Sequence, residues 1–273
     1  MQQTVERVPV DGAELRVVVQ GSGEPVALVH GAVLADELAL IADEPDLRDY
    51  QLIRYHRRGY GGSAGAPGRA SVEQDAADCR AVLAALGVER AHVAGKSYGG
   101  AVAVQLAVDA PGLVHSLALL EPALLAVPSA TQFAEAVDPI GQTYAAGDAA
   151  AAVDAFMSLV WNPGWRESVE RRVPGSGTQA ERDAAALFES DLPAIQTWRV
   201  GAEDVRRVEV PVLFVTGSAS GPLFEEIRDL VHAWFPQAED VVVADANHGF
   251  PISHPHEVAA GLAAFLRRHP LAR

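Results

Sequence analysis

The feature that decides the predicted fold is the stretch Ala94-Gly95-Lys96-Ser97-Tyr98-Gly99-Gly100. An apolar run from Ala91 to Ala94 leads into it, and a helix-compatible run from Ala101 to Val108 follows it. A Gly-x-Ser-x-Gly pattern therefore lies between a predicted strand and a predicted helix. We expect a turn so tight that Ser97 is held in strained backbone geometry, with its hydroxyl exposed and with glycines on either side.

The composition limits both the size of the protein and its partners. The 273 residues suffice for one large α/β domain or two small ones, and 49% hydrophobic residues suffice for a sizeable core. A formal net charge of −15 disfavours nucleic acids and anionic membranes as partners. The single cysteine, Cys79, excludes an internal disulfide framework, and no Cys/His group has zinc-site spacing. We therefore predict neither a metal nor another cofactor.

The N-terminus predicts the compartment. It lacks the basic start and apolar core of a signal peptide, and the longest apolar runs are too short to span a membrane. We predict a soluble, cytoplasmic protein whose partner is a small molecule, and the sequence leaves open whether it forms a homodimer.

Strand-like and helix-like segments alternate along most of the chain, which predicts a mostly parallel sheet with helices on both faces. Eight segments have strand character, and Asp11-Gly12 is a hairpin turn between the first two. These segments are Thr4–Val10, Glu14–Gln20, Val26–Val29, Gln51–Tyr55, Ala91–Ala94, Val114–Leu120, Val212–Thr216 and Val241–Ala244. Ligands of such sheets bind at the carboxyl ends of the strands. We therefore expect four strand-end sites along one edge: His30-Gly31, Ser97, Glu121 and His248.

The stretch from 123 to 207 differs from the rest, because alanine-rich helical segments replace the strands. We predict a core formed by residues 1–122 and 208–273, with a helical lid at 123–207 inserted after the sixth strand. Aromatic side chains are spread through this lid. The candidate substrate-pocket residues are Trp161, Phe188 and Trp198 of the lid and Phe250 of the last loop.

The chain resembles the α/β-hydrolase superfamily over essentially its whole length. The residues that carry the resemblance follow the order of that family: His30-Gly31, Gly59-x-Gly61-x-Ser63, Gly95-x-Ser97-x-Gly99 and Asn247-His248-Gly249. The resemblance implies an α/β-hydrolase fold with an eight-stranded sheet and a serine nucleophile at the elbow. The dehalogenase and epoxide hydrolase branches carry an aspartate at the elbow, and Ser97 argues against both.

A serine hydroxyl needs a general base, and the family order of serine, acid and histidine favours His248 as that base. In most members the acid follows the strand that ends here at Thr216, but that loop, Gly217 to Pro222, has no carboxylate. Glu121 stands at the end of the preceding strand and is our candidate.

Three other carboxylates compete with Glu121 as the acid. Asp245 lies three residues before His248, and Glu225 and Glu226 lie on the helix that follows the carboxylate-free loop.

The resemblance also implies an oxyanion hole made of two backbone N–H groups. Tyr98 supplies one as the residue after the nucleophile, and Ala32 supplies the other from the His-Gly-x pattern. We expect a structural role for His30, and we expect the Lys96 side chain to point away from Ser97.

A narrower branch, the lactone hydrolases that open the macrolactone zearalenone, is also similar. That branch is similar in having a Ser-Glu-His triad, a carboxylate-free loop like Thr216 to Gly221, and a last histidine segment like His248 to Pro255. Its usual elbow differs from Lys96-Ser97-Tyr98.

Together these features predict a cofactor-free serine hydrolase of an apolar or aromatic ester or lactone. Two alternatives remain open. A carbon–carbon bond hydrolase of a diketone acid would need cations for the substrate carboxylate, for which Arg166, Arg171 and Arg172 are available. A non-catalytic ligand-binding member of the fold would explain the missing acid after Thr216.

Overall fold

The sheet contains eight strands. A computed structural model describes residues 3–65 and 70–271. The strands are β1 (Gln3–Val10), β2 (Ala13–Gln20), β3 (Glu24–Val29), β4 (Tyr50–Tyr55), β5 (Ala91–Lys96), β6 (Val114–Leu120), β7 (Val212–Gly217) and β8 (Glu239–Val243). Their order is β1-β2-β4-β3-β5-β6-β7-β8. β2 pairs antiparallel with both β1 and β4, and the other neighbouring strands pair parallel. The predicted mostly parallel, eight-stranded α/β-hydrolase sheet is confirmed.

Helices cover both faces of this sheet. They are α1 (Ala39–Ala42), α2 (Val72–Ala85), α3 (Tyr98–Asp109), α4 (Ala130–Ala145), α5 (Ala149–Val160), α6 (Trp165–Arg172), α7 (Ser176–Arg182), α8 (Leu192–Thr197), α9 (Ala202–Val205), α10 (Pro222–Trp234), α11 (Phe250–Ser253) and α12 (Pro255–Arg268). Val104 of α3 and Ile227 of α10 belong to the apolar cluster on one face, and Leu262 of α12 belongs to the cluster on the other. Burial on both faces explains why the central strands are continuously apolar.

The register of the sheet positions the functional loops. β5 lies between β3 and β6, and Gly95 stands opposite Val29 on one side and Leu119 on the other. The carboxyl ends of these three parallel strands therefore meet at one edge. The loops that leave this edge begin at His30, Ser97 and Glu121.

The stretch 123–207, which we call the helical insertion, joins β6 to β7. Helices α4 to α9 and a π-helical segment, Ala186–Asp191, make up its regular structure. Its apolar side chains cluster with the fully buried Trp165, and Val33 and Leu34 from the loop after β3 join this cluster. The helical insertion therefore packs directly on the loop that follows β3.

None of the helices within the described residues is both long enough and apolar enough to cross a bilayer.

Candidate active site

Ser97 occupies a strained turn between β5 and α3. Its backbone has φ 51° and ψ −118°, a conformation that residues with a side chain rarely adopt. A Cβ atom on Gly95 would lie 2.2 Å from the carbonyl oxygen of Gly99, and one on Gly99 would lie 2.3 Å from that of Val29. The strand and helix approach so closely here that only glycine fits at these flanking positions.

His248 and Glu121 form a hydrogen-bonded pair at the same edge of the sheet. His248 lies in the loop between β8 and α11, and its Nδ1 donates to Glu121 Oε2 across 2.6 Å. The other carboxylate oxygen of Glu121 accepts from Thr216 Oγ1 at 2.8 Å and from the Gly217 N–H at 2.9 Å. A fully buried carboxylate with three donors is well suited to remain ionised.

Electrostatics defines the protonation state of this pair. Burial raises the pKa of Glu121, but the hydrogen bond and charge of His248, together with the charge of Lys96, outweigh burial and leave this pKa below its usual value. Burial and the nearby Lys96 ammonium lower the pKa of His248 to about 4, although Glu121 opposes them. The imidazole is therefore neutral at neutral pH. Because Nδ1 donates to Glu121, Nε2 carries the lone pair that a general base needs.

The three competing carboxylates lie elsewhere. Asp245 is exposed, and its backbone N–H donates to Ser218 Oγ at 2.9 Å. Glu226 accepts from the N–H and hydroxyl of Ser129, and Glu225 is exposed on α10. Within the described ranges, Glu121 is the carboxylate in hydrogen-bond contact with His248.

The loop after β3 is held in one orientation by hydrogen bonds. Arg57 donates its backbone N–H to His30 Nε2 at 2.9 Å, so His30 Nδ1 carries the proton and donates to the Gly31 carbonyl at 2.7 Å. Arg57 Nη2 donates to the same carbonyl at 2.9 Å. Burial lowers the pKa of His30 well below its usual value. These contacts agree with the structural role expected of His30.

The hydrogen bonds to the Gly31 carbonyl also fix the direction of the Ala32 N–H. The peptide bond between Gly31 and Ala32 is trans, so its carbonyl and its N–H point in opposite directions. With the Gly31 carbonyl held on Arg57, the Ala32 N–H is directed to the other side, where Gly31 and Ala32 line a cavity. The Tyr98 N–H lies at the first turn of α3. In the part of the chain that the structure describes, neither N–H donates to a protein acceptor.

A cavity of about 470 Å³ opens onto these groups, and Ser97, Tyr98, Ala32 and His248 all line it. Most of the remaining lining is apolar and comes from the helical insertion and α10. These apolar side chains include Phe133, Phe156, Leu159, Val160, Trp161, Leu187, Leu192, Ile195, Leu223, Phe224 and Ile227. The structure thus brings the predicted serine, histidine and N–H donors together at one apolar cavity.

A family model described as the alpha/beta hydrolase fold matches residues 24–255. The chain belongs to this family.

Among curated proteins, this alpha/beta hydrolase is similar to a fluoroacetate dehalogenase of a Burkholderia species, with 36% identity over 124 residues. That match spans 42% of this chain and 39% of the dehalogenase, so the chain covers well under half the length of that relative. Among solved structures, an esterase of a Rhodococcus species is 26% identical and has a TM-score of 0.75, with 99% of this chain and 100% of that chain covered.

The enol-lactonase of Burkholderia xenovorans is 21% identical and has a TM-score of 0.78, with 96% of this chain and 100% of that chain covered. At this identity the likeness concerns the fold alone.

Of the four aromatic pocket candidates in this alpha/beta hydrolase, Trp161 lines the cavity. Its ring lies on Gly249, where an added Cβ would be 1.8 Å from Trp161 Cε2. Phe188 instead stacks on Tyr144 with ring centroids 4.6 Å apart.

Trp198 donates its ring N–H to Gln105 at 2.8 Å, and Phe250 is fully buried in the sheet core. For Phe188, Trp198 and Phe250 the structure differs from the sequence-based prediction, because all three are absent from the cavity lining.

Sequence reasoning missed two neighbours of His248. The Phe224 ring stacks on the imidazole, with centroids 4.5 Å apart and an interplanar angle of 16°. The Lys96 side chain is buried, and its Nζ lies 2.7 Å from His248 Nε2 and 3.1 Å from Nδ1. One compositional signal was available for Lys96: it is the only lysine in the sequence.

A buried ionic cluster around Arg57 was also missed. Arg57 donates to both oxygens of Asp191 at 2.9 and 2.6 Å and to Asp75 at 3.2 Å. The Tyr60 hydroxyl donates to Asp191 at 2.7 Å. Since Asp191 belongs to the helical insertion and Asp75 to α2, Arg57 ties both elements to the Gly31 carbonyl. The described residues contain no group of three His, Cys, Asp or Glu side chains arranged to hold a metal ion.

Proposed function

We propose that this alpha/beta hydrolase is a cofactor-free serine hydrolase that cleaves a carboxylic ester or a lactone through an acyl-enzyme. The observation that carries the proposal is the 2.6 Å contact between His248 Nδ1 and Glu121, made in the wall of the cavity that Ser97 also lines. It gives the serine a neutral imidazole whose tautomer and orientation are fixed.

In the acylation step, Ser97 Oγ attacks the substrate carbonyl carbon while its proton moves to His248 Nε2. The new Oγ–C bond leaves negative charge on the carbonyl oxygen, which the Ala32 and Tyr98 N–H groups stabilise. Glu121 stabilises the imidazolium that forms. The imidazolium then protonates the leaving oxygen as its bond to the carbonyl carbon breaks.

In the deacylation step, water replaces the alcohol. His248 takes a proton from the attacking water, and the resulting tetrahedral adduct is stabilised by the same two N–H groups. Its collapse returns the proton to Ser97 Oγ and releases the carboxylic acid. A lactone follows the same steps and gives one ring-opened hydroxy acid.

The cavity supports an apolar or aromatic substrate. Side chains of the helical insertion and α10 supply most of its surface, which favours burial of hydrocarbon. Its volume of about 470 Å³ accommodates a ligand larger than a simple acetate ester. A zearalenone-type macrolactone is the finer candidate, and a Ser-Glu-His arrangement with the acid after the earlier strand supports it.

Two observations weigh against the alternatives. Arg166, Arg171 and Arg172 are absent from the cavity lining, so none of these three arginines is placed to bind the carboxylate of a diketone acid there. Arg166 pairs with Glu181 at 2.8 Å on the surface of the insertion. The case for a non-catalytic member rested on the missing acid after Thr216, and the contact between Glu121 and His248 favours a catalytic protein instead.

The compartment and the partner belong to the proposal as well. We place the activity in the cytoplasm and a small ester or lactone in the cavity.

The experiment is turnover of p-nitrophenyl butyrate and of zearalenone by the wild-type protein and by Ser97→Ala and Glu121→Gln. We expect hydrolysis of the aryl ester and loss of most of the rate in both variants. Ring opening of zearalenone at a comparable kcat/KM would support the macrolactone candidate. An inert wild-type protein, or a Ser97→Ala variant with full activity, would contradict the proposal.

A further inference from the structure

The position of Lys96 is unusual for a basic side chain. It is 1% exposed, and it is the only lysine among 21 basic residues, the other 20 being arginine. Its Nζ lies 2.7 Å from His248 Nε2. Arginine stays charged at all accessible pH values, whereas a buried lysine readily changes its protonation state. The one basic side chain that can titrate in the alkaline range therefore contacts the proposed base.

The Lys96 ammonium lies against the face of the His248 ring. Its Nζ is within 3.1 Å of both ring nitrogens, which would be impossible for an atom in line with the Nε2 lone pair. His248 Nδ1 is already occupied as a donor to Glu121, so Nε2 is the nitrogen that must take the serine proton. A protonated Lys96 therefore places a positive charge 2.7 Å from the atom that becomes protonated in acylation.

We propose that Lys96 is a positioning residue whose ammonium, lying against the imidazole ring, opposes protonation of His248, so that the base accepts the serine proton readily only after Lys96 has lost its own proton. The proposal rests on the proposed function, since it takes Ser97 as the nucleophile. It deepens that function by assigning an ionisation that controls the general base.

Charged and aromatic groups surround Lys96 on several sides. Burial lowers the pKa of Lys96 and is the largest effect on it. Glu37, from the loop before α1, and Glu121, from the end of β6, raise this pKa and offset burial only in part. The balance puts this pKa at about 8. The Phe250 ring of α11 lies 5.6 Å from Nζ.

Glu37 is itself buried, and its Oε1 accepts the Gly31 N–H at 2.5 Å. Burial raises the pKa of Glu37, while Lys96, the Gly31 bond and Arg57 lower it. Glu37 therefore links the Lys96 charge to the loop that carries Ala32.

The sign of the pH effect follows from these contacts. Below the pKa of Lys96, the ammonium repels the imidazolium that forms in acylation. Above it, the amine is neutral and this repulsion disappears. The rate should therefore rise through the pKa of Lys96, near pH 8, rather than through that of His248.

The kinetic test compares wild type, Lys96→Met and Lys96→Arg across about pH 5 to about pH 10. For wild type, we expect kcat/KM on p-nitrophenyl butyrate to rise with pH. We call this rise the limb, and its midpoint should lie near pH 8. In Lys96→Met this midpoint should move to a pH lower by at least about one unit, toward the ordinary pKa range of histidine. Lys96→Arg, which keeps its charge, should stay about tenfold or more below wild type even at alkaline pH. Arg58→Met, which removes a cation outside the site, should keep the wild-type limb.

The second readout uses the unmodified protein and therefore does not depend on the folding of any variant. Protein labelled with [15N]lysine has a single Nζ signal, because Lys96 is the only lysine. We expect this signal to titrate with the midpoint of the kinetic limb and the ring 15N signals of His248 to shift at that same pH. An Nζ midpoint near the ordinary lysine pKa of about 10.4 would overturn the proposal, and so would His248 ring signals that do not change over the pH range in which Lys96 titrates.

The two proposals fail in different ways. A Lys96→Met limb that coincides with the wild-type limb overturns the role of Lys96 while leaving the serine mechanism standing. A wild-type protein that neither hydrolyses the ester nor reacts at Ser97 with an aryl phosphonate overturns the proposed function. In that case the NMR titration still decides whether Lys96 and His248 share a proton-dependent contact.

Discussion

Gly217 donates its backbone N–H to the Glu121 carboxylate across 2.9 Å. This bond joins the end of β7 to the end of β6. The last two residues of β7 therefore supply hydrogen-bond donors to Glu121, which we propose as the acid. Thr216, the residue before Gly217, adds a second donor at 2.8 Å.

Thr216→Val removes the hydroxyl donor while keeping the side-chain shape. We expect a stability loss of about 1.5–3 kcal/mol, because a buried charged acceptor loses a donor, and a lower kcat with little change in KM. Urea unfolding and steady-state kinetics measure the two effects. Thr216→Ser, which keeps the hydroxyl, should restore most of both losses. Equal losses in the serine and valine variants would contradict this account.

Glu121→Gln should lower kcat by about 10³- to 10⁴-fold, because a neutral amide neither holds the imidazole tautomer nor stabilises the imidazolium. Asp245→Asn is the matched control, since Asp245 is exposed and lies near His248 only in sequence. We expect it to keep wild-type kcat. If Asp245→Asn were the variant that lost activity, Glu121 would not be the acid.

Arg57→Met tests how the oxyanion hole is positioned. Breaking the buried pair with Asp191 should cost about 3–5 kcal/mol of unfolding free energy. Removing one of the two donors to the Gly31 carbonyl should lower kcat by up to about 10²-fold, because the orientation of the Ala32 N–H is then less firmly fixed. Arg58→Met is the control: Arg58 pairs with Asp78 and contacts no carbonyl of the loop after β3. A stability loss in both variants without a kcat difference between them would argue against a positioning role.

Trp161→Phe and Trp198→Phe compare the same change at a residue that lines the cavity and at one that does not. We expect Trp161→Phe to raise KM for aryl esters by up to about tenfold through lost apolar contact, with kcat little changed. Trp198→Phe should lower stability by about 1 kcal/mol through the lost bond to Gln105 and leave KM unchanged. A KM change for Trp198→Phe alone would mean that the lining is misassigned.

Local chemistry made the fold and the strained turn at Ser97 predictable. The eight strands are continuous apolar or alternating runs bounded by turn residues, and their parallel order follows from the intervening helices. The strained turn at Ser97 could be anticipated because the glycines around it have a steric cause that acts between neighbours in sequence. Glu121 and His248 could be proposed for a similar reason, since Glu121 directly follows β6 and His248 lies in the loop after β8, and both strands end at the same edge.

What the sequence did not reveal depends on contacts between distant segments. Arg57 and Asp191 are 134 residues apart, and only the docking of the helical insertion brings them together. Aromatic side chains pack as readily against neighbouring helices as into a cavity. The sequence therefore could not show that Trp161 lines the cavity while Phe188 and Trp198 do not. The direction of Lys96 depends on His248, whose loop lies 152 residues further along the chain.

The most direct test of the central claim is the mass of the covalent adduct that forms with p-nitrophenyl ethylphosphonate, located by peptide mapping. We predict one adduct per chain on the peptide that contains Ser97, with no adduct in Ser97→Ala and much slower formation in Glu121→Gln. An adduct on any other residue, or equal rates in wild type and Glu121→Gln, would contradict a serine nucleophile activated by the His248–Glu121 pair.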